Sequence, residues 1–360
     1  MKMKKIKVAV FGIHRPFRAP NERYRFEQYK NFLLQNDLII NYYYIINEED
    51  DKILFSKGNY FKKIWIYFKS FFKRWQQIIK LNQCDVIIIY RELHWFNCLT
   101  KHWMSITKNK TQKIIFDFDD AIWLSEKNIL AEWIKSPTKK FQTLVTHSDI
   151  VIAGNSYLSH YAQQWNKNVY IIPTCVDTDY FVSIPEIKNN NKCVIGWMGS
   201  HSTIQHLKII IPVLKKIKQL YPFVEFKFIG NKTYLPELNV YVEDWQKENE
   251  IEILNSFDIG IMPLPDDEWS RGKCGLKMLT YLSCEIPCVA SNVGVNKEII
   301  DKTNGGFVCN NDKEWLEKLS LLIENKVLRE TLGKQGRKGI EEHYSIKKWR
   351  NKLLNILIGG

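Results

Sequence analysis

Short apolar runs recur along the first half of this chain, each separated from the next by a stretch with helical spacing. They are Lys7 to Gly12, Leu38 to Ile46, Asp85 to Tyr90, Lys113 to Phe118, Ile150 to Ala153 and Val169 to Ile172. Runs of this kind read as strands buried on both faces, and strands spaced by helices build parallel sheets. A helix is predicted from about Glu22 to Gln35. The pattern restarts at Val194 to Met198, continues with a helix from about Gln205 to Leu220, and repeats at Glu225 to Ile229, Ile259 to Pro263, Val289 to Ala290 and Gly306 to Val308. Amphipathic helices are predicted from Asp312 to Asn325, Val327 to His343 and Ile346 to Leu357. The most polar and least patterned stretch, Lys188 to Lys192, lies between the two series. The expectation is an α/β chain of two doubly wound domains, residues 1–187 and 193–345, with the final helix, 346–360, crossing back to the first. In such sheets ligands sit past the carboxyl ends of the strands, which directs attention to the residues following each run.

Composition narrows the partners only slightly. Hydrophobic residues make up 45% and charged residues 25% of the 360 positions, a globular balance without a low-complexity region. Lys and Arg outnumber Asp and Glu by 52 to 39, giving +13 and a field that favours phosphates or anionic surfaces. The basic residues do not gather into one arm, so nucleic acid is not the expected partner. The eight cysteines are scattered without CxxC pairs and read as free cytosolic thiols. The start, MKMKKIKVAVFGIH, has a short apolar run and no small-residue cleavage site, so it is expected to be a first strand and not a signal peptide. No segment reaches the roughly 20 uncharged apolar residues of a membrane span, and a cytoplasmic protein, soluble or peripheral at the inner face of the membrane, is expected.

Between Trp269 and Ser291 the chain reads WSRGKCGLKMLTYLSCEIPCVAS, a glycine-bearing turn, a short helix and a strand. Gly272 and Gly275 allow a backbone to approach a ligand closely, and the helix that follows offers N–H groups and the positive end of its dipole. Lys273 and Lys277, four residues apart, share a helix face and add positive charge to that field. A phosphate-bearing ligand suits this arrangement; a solvated basic turn would carry the same residues. A second candidate cradle, Gly199, Ser200, His201, Ser202 and Thr203, follows Val194 to Met198.

In the first half, the loop after the first strand carries Gly12, His14, Arg15 and Arg18, suited to a phosphate or an acceptor. The strand end FDFDDAIW carries Asp117, Asp119 and Asp120, carboxylates suited to hydroxyl binding, general-base work or a divalent metal, with Trp123 placed to stack on a sugar ring. Helix capping and solvated charge are the plainer account of the same residues. The stretch Phe61 to Lys80 sets Phe61, Ile64, Trp65, Phe68, Phe71, Phe72, Trp75, Ile78 and Ile79 on one face and Lys62, Lys69, Lys73 and Lys80 on the other. Packing of that apolar face on the sheet is the commoner arrangement; contact with an anionic membrane is the alternative.

Seven stretches spread over nearly the whole chain resemble one family: DDAIW at Asp119, GNSYLSHYA at Gly154, IPTCVDTDYF at Ile172, IGWMGSHST at Ile195, DIGIMPL at Asp258, RGKCGLKMLTYL at Arg271 and PCVASNVGVNKEII at Pro287. The chain resembles the retaining GT-B glycosyltransferases of the family 4 type, in a bacterial cell-surface polysaccharide branch. The resemblance implies a GT-B fold, two Rossmann-like domains facing across a cleft, with acceptor bound by the first domain and nucleotide-sugar donor by the second. It implies donor contacts from Gly199, Ser200, His201, Thr203, Arg271, Lys273, Gly275, Lys277 and Thr280, and acceptor contacts from Gly12, Arg15, Asp120 and Trp123. Asp119 stands where the family often has a histidine near the reacting sugar; Asp119 and Lys277 are the catalytic candidates. The sequence departs from the family at its paired glutamates, replaced here by Gly272 and Thr280, and at a basic pair replaced by Ser200 and Gln205. No cofactor is implied and no metal demanded, because lysines can stabilise the departing diphosphate. The implied acceptor is a glycan or lipid-linked hydroxyl. A nucleotide-sugar epimerase on the same fold and an inactive partner subunit are the alternatives.

Overall fold

The computed structural model describes residues 5–97, 99–124, 136–187, 192–199 and 203–359. The chain forms two compact units, residues 1–174 with 350–360, and residues 175–349. The sequence reading placed the linker at 188–192, of which 188–191 lie outside the described residues. Each unit is an open α/β sheet, the fold class expected from the alternating pattern.

In the first unit the strands are β1 (Ile6–Phe11), β2 (Leu38–Tyr43), β3 (Cys84–Tyr90), β4 (Thr111–Phe118), β5 (Ile150–Ala153) and β6 (Val169–Ile171). They lie in the order β2-β1-β3-β4-β5-β6, and every pairing is parallel. The order reverses between β1 and β3, so a crevice opens where their carboxyl ends diverge. Val8, Phe11, Ile87, Ile89, Ile114 and Phe116 are wholly buried or nearly so, as strands covered on both faces require.

The second unit holds β7 (Cys193–Met198), β8 (Val224–Gly230), β9 (Thr233–Leu235), β10 (Val240–Asp244), β11 (Ile259–Met262), β12 (Cys288–Ser291) and β13 (Gly306–Cys309). Their order is β13-β12-β11-β7-β8-β10-β9, parallel except for β9 against β10. Here the order reverses between β7 and β11. These two strands pair only at Ile195 with Ile259 and Gly196 with Gly260. Beyond that point the Met198 N–H donates to the Tyr281 hydroxyl at 2.8 Å, so a side chain takes the place of the neighbouring strand. The core beneath contains Trp197, Leu214, Phe228, Ile261 and Trp315.

Glycines bring the backbone of helix Lys326–His343 against the carboxyl ends of the helices Leu276–Ser283 and Asn296–Thr303. A Cβ on Gly333 would lie 2.2 Å from the Glu285 carbonyl oxygen, and one on Gly339 would lie 2.4 Å from the Thr303 Cα. Gly336 faces Gly305, with Leu282 of the helix Leu276–Ser283 against both.

Three local expectations are corrected. The predicted helix from Glu22 to Gln35 is broken into Pro20–Arg25, a 3-10 turn at Glu27–Tyr29 and Lys30–Gln35. The helix expected from Gln205 begins as a 3-10 stretch, Ile204–Ile210, and becomes α-helical at Ile211–Leu220, where Pro212 occupies the start of the α-helix. The helix Tyr60–Ile79 does not pack its aromatic arc on the sheet. Its buried residues are Ile66, Ser70, Arg74 and Ile78, while Phe61, Trp65 and Phe68 are 91%, 68% and 56% exposed. Arg74 explains the orientation. Its guanidinium is fully buried and donates to the carbonyls of Gly12, Tyr43 and Leu93, so it satisfies main-chain oxygens just past or at the ends of three strands. Burial lowers its pKa to about 9, against the opposing pull of Glu22, and the arginine remains charged at neutral pH.

Candidate functional site

In the second unit the residues flagged around Gly275 lie beside the crevice between β7 and β11. Gly275 adopts a left-handed conformation, φ +71°, as the residue before the helix Leu276–Ser283, and a Cβ there would lie 2.3 Å from Ile299 Cδ1. The chain therefore turns tightly into the helix, and the helix start is presented without a capping side chain. Gly294, φ +58°, closes the turn from behind, since a Cβ there would sit 2.9 Å from the Arg271 carbonyl oxygen.

Lys277 reaches over the Trp197 ring at 5.8 Å, and Lys273 stands over Trp269 at 4.7 Å. In both pairs it is the ammonium nitrogen that lies over the aromatic face. Arg271 donates to Asp266 at 2.7 Å and is half-exposed. Thr280 is buried, and its hydroxyl donates to the Lys277 carbonyl at 2.8 Å, one turn back in its own helix. Gly199 follows β7 with its N–H donating to Ile229, and a Cβ on it would strike Trp197 at 2.2 Å and Thr203 Oγ1 at 2.7 Å. Gly199 is thus the residue that lets the chain pass over the tryptophan, and Thr203 lies against it. Ser200 and His201 lie outside the described residues.

One residue of this neighbourhood was absent from the sequence reading. His206 is 7% exposed, and its Nδ1 has no hydrogen-bond partner among the described residues. Burial lowers its pKa first, and the charges of Lys277 and Lys273 lower it further. That effect places both ammonium groups within electrostatic reach of one imidazole, with the Asp267 carboxylate opposing them. A lone histidine in a helical turn gave no signal in sequence.

In the first unit the three carboxylates of the β4 end are divided between two arginines. Arg25 holds Asp117 by two parallel bonds, 3.0 and 2.8 Å, both groups buried. Arg91 binds Asp119 from Nε at 2.8 Å and also reaches Asp120, while the Tyr90 hydroxyl donates to Asp119 at 2.7 Å. All three carboxylates are thus engaged by guanidinium groups. Burial would depress the Arg91 pKa, but Asp119, Tyr90 and Asp120 together hold it well above its ordinary value.

Arg15 forms ion pairs with Asp51 and Glu48 at 3.4 and 4.0 Å. Trp123 is 5% exposed and stacks on Tyr161 with ring centroids 3.8 Å apart, inside a cluster with Phe118 and Phe141. Its expected role as an open platform for a sugar ring is therefore corrected: it is a core residue.

Comparison with known proteins agrees with this geometry. Residues 192–325, most of the second unit, match the family described as Glycosyl transferases group 1. The chain is 26% identical over 188 residues to Spore coat protein SA of Bacillus subtilis (strain 168), covering 48% of this chain and 50% of that protein. It thus spans about half the length of the curated relative it matches. Among solved structures, sucrose-phosphate synthase from Thermosynechococcus elongatus superposes with TM-score 0.72 at 11% identity over 98% of both chains. HepE from Anabaena, solved in complex with UDP and glucose, gives 0.67 at 12% identity over 98% of this chain and 99% of its own. TarM of S. aureus gives 0.59 at 16% identity over 79% of this chain and 57% of its own. These likenesses define the class of fold as GT-B, two Rossmann-like units with largely parallel sheets. Within it, residues 192–325 are similar to the group 1 glycosyltransferases.

Proposed function

We propose that this protein is a glycosyltransferase that moves a sugar from a nucleoside-diphosphate donor to a hydroxyl of a glycan or lipid-linked acceptor, with retention at the anomeric carbon, in cell-surface polysaccharide synthesis. The observation that carries the reading is the positive cluster of Lys273, Lys277 and the helix start after Gly275, at the strand-order reversal of the matched domain. Cleavage of a sugar–diphosphate bond builds negative charge on the departing phosphate, and fixed cations beside it lower that barrier. The lysines supply this charge without a resident cofactor. Asp119, oriented by Arg91 and Tyr90, supplies a carboxylate to align the acceptor hydroxyl.

The exposed arc of the helix Tyr60–Ile79 supports a second part of the reading, attachment to the inner face of the cytoplasmic membrane. Phe61, Ile64, Trp65, Phe68 and Phe72 are each more than half exposed, and Lys62 stands beside them, whereas Lys69 is paired with Asp50 at 2.9 Å. Aromatic rings beside lysines match an anionic headgroup layer over an acyl boundary. Among the described residues no helix is long and apolar enough to cross a membrane.

A panel of nucleoside diphosphates and their sugars tests the first part by thermal shift and transfer assays. Binding should raise the melting temperature, and Lys277→Ala should cut transfer by at least ~100-fold while the apo melting temperature holds. Near-normal turnover in that variant would overturn the assignment. For the membrane, flotation with phosphatidylglycerol vesicles should recover the wild type but not a Phe61→Ser, Trp65→Ser, Phe68→Ser triple variant. Equal recovery of the two refutes it.

A further inference from the structure

His206 is a buried titratable side chain beside the lysine cluster, and the chemistry of sugar transfer described above gives it no part. It sits in the 3-10 stretch Ile204–Ile210, which follows β7 after the turn that holds Gly199 and Thr203. Its own N–H donates to the Thr203 carbonyl at 3.0 Å, and the Thr203 hydroxyl lies against Gly199, where a Cβ would stand 2.7 Å from Oγ1. The same Cβ would strike the ring of Trp197, the ring over which the Lys277 ammonium lies at 5.8 Å. One run of contacts thus brings imidazole, indole and ammonium to the strand-order reversal where open parallel sheets take their ligands. The imidazole Nδ1 is out of contact with water and has no hydrogen-bond partner among the described residues. A dry, unpaired ring nitrogen is unfavourable until a partner reaches it.

Three charges act on the ring from neighbouring elements: Lys277 in the helix Leu276–Ser283, Lys273 in the turn before that helix, and Asp267 at the start of Glu268–Arg271. Burial is the largest cause that keeps the imidazole neutral, the two lysines follow, and Asp267 opposes them with the smallest effect. Asp267 also accepts from the Ser270 N–H at 2.7 Å. On the 3-10 stretch itself, Lys208 is exposed. Like charge therefore helps burial to hold the proton off, and that share is reversible. A polyphosphate held by Lys273 and Lys277 would cancel their repulsion and add an attraction of its own, and both changes favour the imidazolium. A neutral sugar would do neither.

We propose that His206 makes binding of the donor's diphosphate a proton-linked event: the imidazole is neutral in the free protein and becomes a third cation, beside Lys273 and Lys277, when a polyphosphate binds. The proton comes from solvent and returns to it when the anion leaves, and no bond in the ligand is broken. The inference rests on the nucleotide-donor reading of this site and concerns its regulation by pH. Because such coupling is reciprocal, the anion raises the ring's hold on a proton and acid pH raises the affinity for the anion. UDP, GDP and inorganic pyrophosphate are titrated into the full chain at pH 6 and pH 8 by calorimetry, in two buffers of different ionisation enthalpy. Histidine-ring NMR follows His206 itself, assigned from its own backbone amide. Relative to His206→Gln, wild type should gain about 5-fold in nucleotide affinity between pH 8 and pH 6 and should take up more protons on binding, the ligand's own ionisation cancelling in the comparison. The His206 ring of the wild type should titrate at higher pH with ligand than without, a readout that does not depend on the variant folding. Nucleotide that binds with the His206 titration unmoved, or with the same pH dependence in wild type and variant, overturns the proposal and leaves the donor site standing. Pyrophosphate that binds with the expected shift while neither nucleotide binds upholds the proton coupling and removes the nucleotide-donor reading. No binding by any of the three removes both.

Discussion

Replacing Glu22 by Gln should change how stability responds to pH, and the size of the effect follows from where the carboxyl sits. Burial pushes its pKa up from 4.5 to about 7; Glu27 adds to the rise, and the backbone N–H groups of His14 and Ile13 oppose it. The folded chain therefore holds this proton more tightly than the unfolded chain does. Stability from that source is complete below pH 4.5 and is lost as pH rises through 7. A displacement of this size corresponds to about 3 kcal/mol. Glutamine is isosteric, can accept the same His14 N–H, and has no proton to lose. Urea unfolding of both proteins at pH 5 and pH 8, followed by tryptophan fluorescence, gives the double difference in which unrelated titrations cancel. Wild type should lose about 2.5 kcal/mol more than Glu22→Gln between the two values, since part of the effect already lies below pH 5. Parallel losses would refute the reasoning, because they would mean that Glu22 ionises as readily in the fold as in the open chain.

His94 predicts the opposite slope at acid pH: burial, with Arg74 and Lys140 nearby, lowers its pKa to about 3, so stability present above pH 6.5 should fall by about 2 to 3 kcal/mol by pH 4.5. Because its Nδ1 accepts from the Phe96 N–H, nitrogen NMR should find the proton on Nε2, facing Ser70, and His94→Gln should flatten the acid limb. Gly275→Ala combines a left-handed φ with a 2.3 Å contact at Ile299 and should cost about 1–3 kcal/mol by thermal melting while weakening nucleotide binding. Arg25→Met leaves Asp117 buried without its partner and should cost about 3–5 kcal/mol in chemical denaturation, much of it recovered by adding Asp117→Asn.

Most of the strand framework was legible because strands buried on both faces are uniformly apolar over their whole length. The run Ile150 to Ala153 matches β5 residue for residue. β9 and β10 were missed for the converse reason: they lie at the sheet edge, Thr233, Tyr234, Tyr241, Glu243 and Asp244 are exposed, and three to five residues of mixed polarity show no period. The helix Tyr60–Ile79 was found, but periodicity identifies an apolar arc without saying which arc packs. Arg74 decided that, through carbonyls contributed by residues 12, 43 and 93, and nothing local to the helix encodes such partners. The glycine turn at Gly275 and the two lysines were visible as a motif. Glu22 and His206 were not, because a single acid in a first turn and a single histidine near a helix start look like ordinary capping chemistry until the fold surrounds them.

The glycine seam on helix Lys326–His343 has a mechanical consequence for the lysine-bearing segment. At Gly333 and Gly339 main chain meets main chain, and Leu282 is wedged against Gly305 and Gly336. The main-chain contacts contain no rotatable side chain that could yield, and the Leu282 side chain is closed in by two glycines, so a tilt of the helix Leu276–Ser283 would press on its longer neighbour. Any adjustment that Lys277 makes to a ligand must come from its own four methylenes, and the scaffold under it behaves as an anvil.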